Sequence, residues 1–137
     1  ASGAHPYLTT PEHTARARAT MGPDSLLAPE QMVVLESDPD TARAIARQGL
    51  AVYLRAPNYQ RNLRTLGFDD ADWADPKAAS DRLVDGLVAW GGPEAVAERV
   101  AEHHAAGADH VCVQVLRADM TLPVAEWRSL AEVLLAD

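Results

Sequence analysis

The stretch from Pro93 to Leu116 restricts this chain most. Pro93 to Ala106 puts Val96 and Val100 on one side and Glu94, Glu98 and Glu102 on another, the pattern of a helix lying on a surface. Gly107 caps it within Ala106-Gly107-Ala108-Asp109, and the strongest strand pattern in the chain, Asp109 to Leu116, follows at once with its valines. A helix that turns straight into such a strand is the grammar of a parallel α/β fold.

The same grammar runs through the rest of the chain. Thr10-Pro11-Glu12-His13 reads as a helix start: Thr caps free N–H groups, Pro suits the first helical position and Glu favours the positive end of the dipole. That helix is expected to stop near Met21, before Gly22-Pro23. Met32 to Leu35 is a second, short buried strand, after which Asp38-Pro39 opens a helical run through Ile45, Leu50 and Leu54 to Pro57. A helix over Asn58 to Leu66 closes on Gly67, Asp69 to Lys77 reads as a surface excursion, Ser80 caps a helix over Asp81 to Trp90, and a last helix covers Leu122 to Leu135. About three strands and six helical segments are expected, with no longer internal repeat.

Among 137 residues, 47% are hydrophobic, enough for a folded core. Twelve Lys and Arg against twenty Asp and Glu give a net charge of -8, which repels phosphate backbones and anionic lipid, so no nucleic acid and no membrane are expected as partners. Cys112, between Val111 and Val113, reads as a buried thiol in a reduced protein. The first residues form neither a basic nor an apolar segment, and nowhere are there the ~20 apolar residues of a membrane span, so a cytoplasmic protein is expected. The chain lacks an initiator Met and opens inside what reads as the tail of a strand, so residues 1–137 are expected to be one partial domain.

Several segments, in order, carry a resemblance. They are Gly3-Ala4-His5-Pro6-Tyr7, Pro11 to Arg16, Glu30 to Leu35, Tyr53 to Tyr59 with Leu66-Gly67-Phe68, and Trp90-Gly91-Gly92-Pro93-Glu94 running to Ala106-Gly107-Ala108-Asp109-His110-Val111. Together they resemble the last third to half of the luciferase-like, deazaflavin-dependent oxidoreductases of actinobacteria, over nearly all of the chain. The resemblance implies the C-terminal portion of a (β/α)8 TIM barrel, with cofactor and substrate at the C-terminal ends of its strands. It further implies hydride transfer between the deazaflavin coenzyme F(420), or FMN, and a small organic substrate, or a flavin monooxygenase that uses oxygen. The alternative is an inactive half-barrel that serves as a structural or self-associating module, a homo-oligomer, because an open parallel sheet leaves edges and apolar faces uncovered.

In such a fold the residues just past the strand ends face the site. His5, Tyr7, Thr9 and Thr10 fall between the first strand and its helix. There His5 and Tyr7 can hydrogen-bond a cofactor or substrate, and the helix start behind Thr10 can hold a phosphate. The competing reading is a His-Pro turn packed by Tyr7, with Thr10 as a plain cap. Glu36 and Ser37 end the second strand and either face the ring system or, in the case of Ser37 or Asp38, cap the next helix. His110, Cys112 and Gln114 share one face of the last strand, and Gln114, nearest its C-terminal end, is placed to touch a ligand. Arg55, Arg61 and Arg64 either meet an acidic cofactor tail or form a solvated face. His103 and His104 point about 100° apart on a helix, which suits a solvated helix end better than a metal pair. No Ser-His-Asp set, Gly-x-Gly-x-x-Gly or P-loop is present, and no catalytic residue is assigned.

Overall fold

The computed structural model describes residues 2–136. In chain order it contains β1 (Gly3–Ala4), α1 (Pro11–Met21), β2 (Leu26–Leu27), β3 (Glu30–Val34), α2 (Pro39–Leu50), α3 (Pro57–Thr65), α4 (Asp81–Leu87), β4 (Val88–Trp90), α5 (Pro93–Ala105), β5 (Cys112–Val115) and α6 (Val124–Leu134). Short 3-10 turns over Tyr53–Arg55, Asp70–Asp72 and Pro76–Ala78 join the helices between β3 and β4. Every strand pairing is parallel. Among the described residues no helix is long and apolar enough to cross a membrane.

β3 lies at the centre, in the order β4-β3-β5. β2 runs into it through Ala28-Pro29, and the combined segment offers two edges. On one edge the amides of Leu26, Ala28 and Glu30 donate to the carbonyls of Ser2, Ala4 and Pro6 at 3.1, 3.0 and 2.9 Å, and farther along Met32 and Val34 stand beside Val88 and Trp90. β1 and β4 therefore share this edge end to end. On the other edge Leu27, Pro29 and Val33 accept from Asp109, Cys112 and Leu116 of the β5 segment.

This sharing explains the main departure from the helix expected over Asp81 to Trp90. β1 leaves half of an edge of β3 unpaired, and Val88-Ala89-Trp90 fills it as β4, so α4 stops at Leu87. Val88 gains a ladder that its β-branched side chain favours. The helix expected to reach Leu54 ends instead at Leu50, and the chain tightens into a 3-10 turn that buries Leu54 completely. The excursion expected over Asp69 to Lys77 lies largely at the surface, but Asp72 and Trp73 within it turn inward. Asp72 and Trp73 are each 5% exposed, because the Asp72 carboxylate collects the Asp69 amide at 2.8 Å, the Ser80 hydroxyl at 2.6 Å and the Arg82 guanidinium.

Helices cover both faces of the sheet. On the front face Met32, Val34 and Val88 pack with Ala42, Ala46 and Leu50 of α2 and Leu83, Val84 and Leu87 of α4. On the back face Val33 and Ala89 pack with Val96 of α5 and Leu130 of α6, and Val113 and Val115 add to them. A sheet apolar on both sides and clothed by helices is the α/β arrangement that the alternation of elements implies. The sheet interior expected to stand open to water is thus largely filled by α2 and α4.

Candidate functional site

The backbone pairing begun by β1 gives out after Pro6, and the chain leaves the edge of β3 at Leu8, whose φ of 57° lies in the left-handed region. A bulky residue rarely adopts that shape, and strain of this kind persists only where the surroundings fix it. Here Leu8 is 2% exposed and its amide, freed by the end of the strand, reaches Glu30 Oε2 at 3.4 Å. The turn sets Tyr7 across the front of β3.

The Tyr7 hydroxyl lies 2.6 Å from Gln114 Oε1 on β5 and 3.0 Å from the Tyr53 hydroxyl. Gln114 Oε1 can only accept, so it takes the single Tyr7 proton and the Tyr53 O–H donates to Tyr7. Tyr59 from α3 completes the group. Ring centroids are 5.2 Å apart for Tyr7 and Tyr53 and 5.6 Å for Tyr53 and Tyr59, the latter pair edge to face. Such tilted contacts are attractive beyond simple burial. The register puts Gln114 beside Met32 and Cys112 beside Glu30, so these side chains share the front face with Tyr7.

Glu30 lies beneath this cluster at 4% exposure, and its Oε1 has no hydrogen-bond partner among the described residues. Burial pushes its carboxyl up to about 7, against the Leu8 amide and the nearby His5, which favour the charged form. Burial also raises the Tyr7 phenol, helped by the Glu30 charge. Near neutral pH the site therefore combines a neutral Tyr7 phenol, an amide and one carboxyl able to exchange a proton.

Of the residues singled out from the sequence, Tyr7 and Gln114 meet. His5 is exposed, with Nδ1 2.6 Å from the Ala28 carbonyl. Thr9 and Thr10 are 3% and 9% exposed at the start of α1. Thr10 Oγ1 accepts from the His13 amide at 3.3 Å as a helix cap, while Thr9 Oγ1 has no partner among the described residues. Asp38 rather than Ser37 caps α2, through the Thr41 amide at 2.9 Å. Arg64 pairs with Asp70 over the Trp73 ring, and Arg55 and Arg61 are exposed.

Two expectations are corrected. Cys112 is only half-buried, because β5 is an edge strand. His103 is fully buried instead of lying at a solvated helix end, since α5 turns it between α1 and β3. Glu30, Tyr53 and Tyr59 were not singled out from the sequence as site residues, yet a lone carboxylate opening a strand that runs into Met32-Val33-Val34 was a visible signal for Glu30. Among the described residues no three His, Cys, Asp or Glu side chains converge on a metal position. No family model, no curated protein and no solved structure matches the chain.

Proposed function

We propose that this chain is part of a hydride-transferring oxidoreductase, the C-terminal portion of a luciferase-like (β/α)8 barrel, working with the deazaflavin coenzyme F(420) or with FMN on a small organic substrate. The observation that supports this most is the 2.6 Å contact between Tyr7 and Gln114, which joins residues 107 apart in sequence on one aromatic face. Either cofactor supplies hydride chemistry when bound. The residues suit a planar ring with a polar edge. Tyr53 and Tyr59 offer half-buried aromatic surface, and Gln114 Nε2, which has no acceptor among the described residues, is a donor for a ring carbonyl. His5 stands at the rim, and Thr9 Oγ1 with the α1 start behind Thr10 is where a cofactor phosphate would be held. Glu30 holds or releases a proton behind Tyr7.

The test is a titration of the chain with F(420) and with FMN, each oxidised and reduced, followed by NMR. Weak, saturable binding that moves the Tyr7 and Gln114 resonances is expected, because three neighbouring strands offer only part of a barrel site. Signals at these residues that stay unmoved by all four forms would overturn the reading.

A self-associating module is the second reading. It is favoured by the outer edge of β5, which has no partner strand among the described residues, and by Met120, Leu122, Val124 and Trp127 nearby at 81%, 75%, 43% and 47% exposure. Sedimentation over a concentration series decides it, a monomer at every concentration counting against it.

A further inference from the structure

The chain leaves β3 and β5 in opposite directions. From β3 it continues through Glu36 into α2 on the front face, and from β5 it continues through residues 117–123 into α6 on the back face. Adjacent parallel strands whose continuations part in this way leave a crevice outside their C-terminal ends, the place where open α/β sheets bind ligands. Here the crevice opens into two adjoining cavities of about 240 and 230 Å3 that share Ile45, Leu116 and Arg117. The larger one alone has room for roughly eight waters, or a molecule with about as many non-hydrogen atoms.

Its floor is apolar, formed by Val34, Leu35, Ile45 and Leu116. Gly49 lets the end of β5 approach α2, since a Cβ there would fall 2.8 Å from Leu116 Cδ1 and push that side chain into the crevice. The rim is charged and unbalanced. Glu36, Asp119 and Glu126 face a single guanidinium, Arg117, which is already engaged with Asp119 at 3.0 Å and Glu126 Oε1 at 2.5 Å. Glu126 Oε2 is buried without a donor among the described residues. The loop above is held in one shape: Asp119 Oδ1 accepts from the Thr121 amide at 3.1 Å and hydroxyl at 2.9 Å, and Met120 between them has a left-handed φ of 53°. A cavity with an apolar floor, excess negative charge and an acceptor lacking its donor calls for a cation with an apolar body.

We propose that this crevice binds a small primary amine, with its ammonium between Glu126 and Glu36 and its apolar body on Ile45 and Leu116. An anion of the same size meets two unneutralised carboxylates. A neutral alcohol satisfies Glu126 Oε2 but leaves the charge unbalanced. The proposal does not depend on the cofactor reading above, because it rests on the C-terminal crevice and not on the Tyr7 face.

The test titrates the isotopically labelled chain with benzylamine, benzyl alcohol and benzoate in parallel at pH 7, following backbone amide signals. Benzylamine is expected to move Glu36 and Leu116 to Thr121 saturably, with the other two compounds at least about tenfold weaker. Glu126→Gln and Glu36→Gln are each expected to weaken benzylamine by about tenfold. Glu36→Gln leaves the Arg117 pairs intact and keeps an acceptor for the Asp38 amide, so it reports binding even where Glu126→Gln loosens the loop. Shifts that never saturate, equal binding of benzyl alcohol, or a Glu36→Gln chain that binds as before would each overturn the proposal.

Discussion

His103 on α5 meets Gln31 on β3 at 2.9 Å, Nε2 to Oε1, and its Nδ1 lies 2.8 Å from Thr14 Oγ1 on α1. Gln31 spends its own amide protons on the Met32 and Leu87 carbonyls, so its oxygen is left to accept. The proton of His103 therefore sits on Nε2, Nδ1 accepts from Thr14, and the ring is neutral. Three elements are pinned through one uncharged imidazole with no exposure. Burial, with Arg99, His104 and His13 nearby, pushes it down to about 4.

That value opposes Glu30 in a way stability measurements can read. Unfolding lets His103 take up a proton between about 4 and 6.5, so its contribution is full above 6.5 and is lost as pH falls towards 4. Glu30 is held protonated when folded and releases its proton on unfolding between 4.5 and about 7, so its contribution is full below 4.5 and is lost as pH rises towards 7. Where the windows overlap the slopes, each about 1.4 kcal/mol per pH unit, should nearly cancel. Glu30→Gln leaves the His103 slope alone, so its urea midpoint should climb steadily with pH through the overlap. Parallel pH curves for the variant and the parent chain would sink this account.

Tyr7→Phe keeps the ring and removes the hydroxyl shared by Gln114 and Tyr53. If the Tyr7 face is the catalytic surface, the chemical step should slow by roughly tenfold to a hundredfold, about 1 to 3 kcal/mol, with a much smaller change in melting temperature. A large fall in melting temperature with turnover per folded molecule unchanged would make Tyr7 purely structural.

Gly3→Ala tests the β1–β2 pair. A Cβ on Gly3 would stand 2.5 Å from the Leu26 carbonyl oxygen and 2.8 Å from its Cβ, and backbone cannot step aside as a side-chain tip can. The variant should lose about 1 to 3 kcal/mol, and the Leu26 and Ala28 amides should exchange much faster with solvent. Unchanged protection at both amides would contradict it.

Met120→Gly should act in the other direction. Met120 is 81% exposed with φ 53°, so glycine relieves a left-handed backbone and gives up almost no packing. The relief exceeds the entropy cost of glycine by about 0.5 kcal/mol, a rise in melting temperature of roughly 2 °C. A lower melting temperature would show that the Met120 side chain holds the loop.

What could be read from the sequence followed local chemistry. The Thr10 cap, the turn at Gly107 and the two valine-rich strands are set by neighbouring residues and stand where expected. β4 was hidden because Asp81 to Trp90 has acceptable helical spacing, and only the half-edge left by β1, more than 80 residues away, makes its last three residues a strand. The same limit applied at the site. Tyr7 and Gln114 were visible from their places beside strand ends, whereas the burial that raises Glu30 and the turn that brings in Tyr53 arise from packing between distant segments.

The central place of β3 also governs how the chain emerges during synthesis. Met32 waits 56 residues for Val88, and Glu30 waits 82 for Cys112, which at ordinary ribosomal rates is on the order of ten seconds. β1 alone, among the described residues, is available throughout that interval to pair with the β2–β3 segment, whose far half stays a bare, apolar strand. Among the described residues, α2 and α3, which supply Ala42, Ala46, Leu50 and Leu63 to the front-face core, are complete before either late partner appears. A substitution that loosens these helices would therefore expose the nascent strand to neighbouring chains, and its damage would appear first as lost soluble yield, before any fall in the stability of the molecules that finish folding.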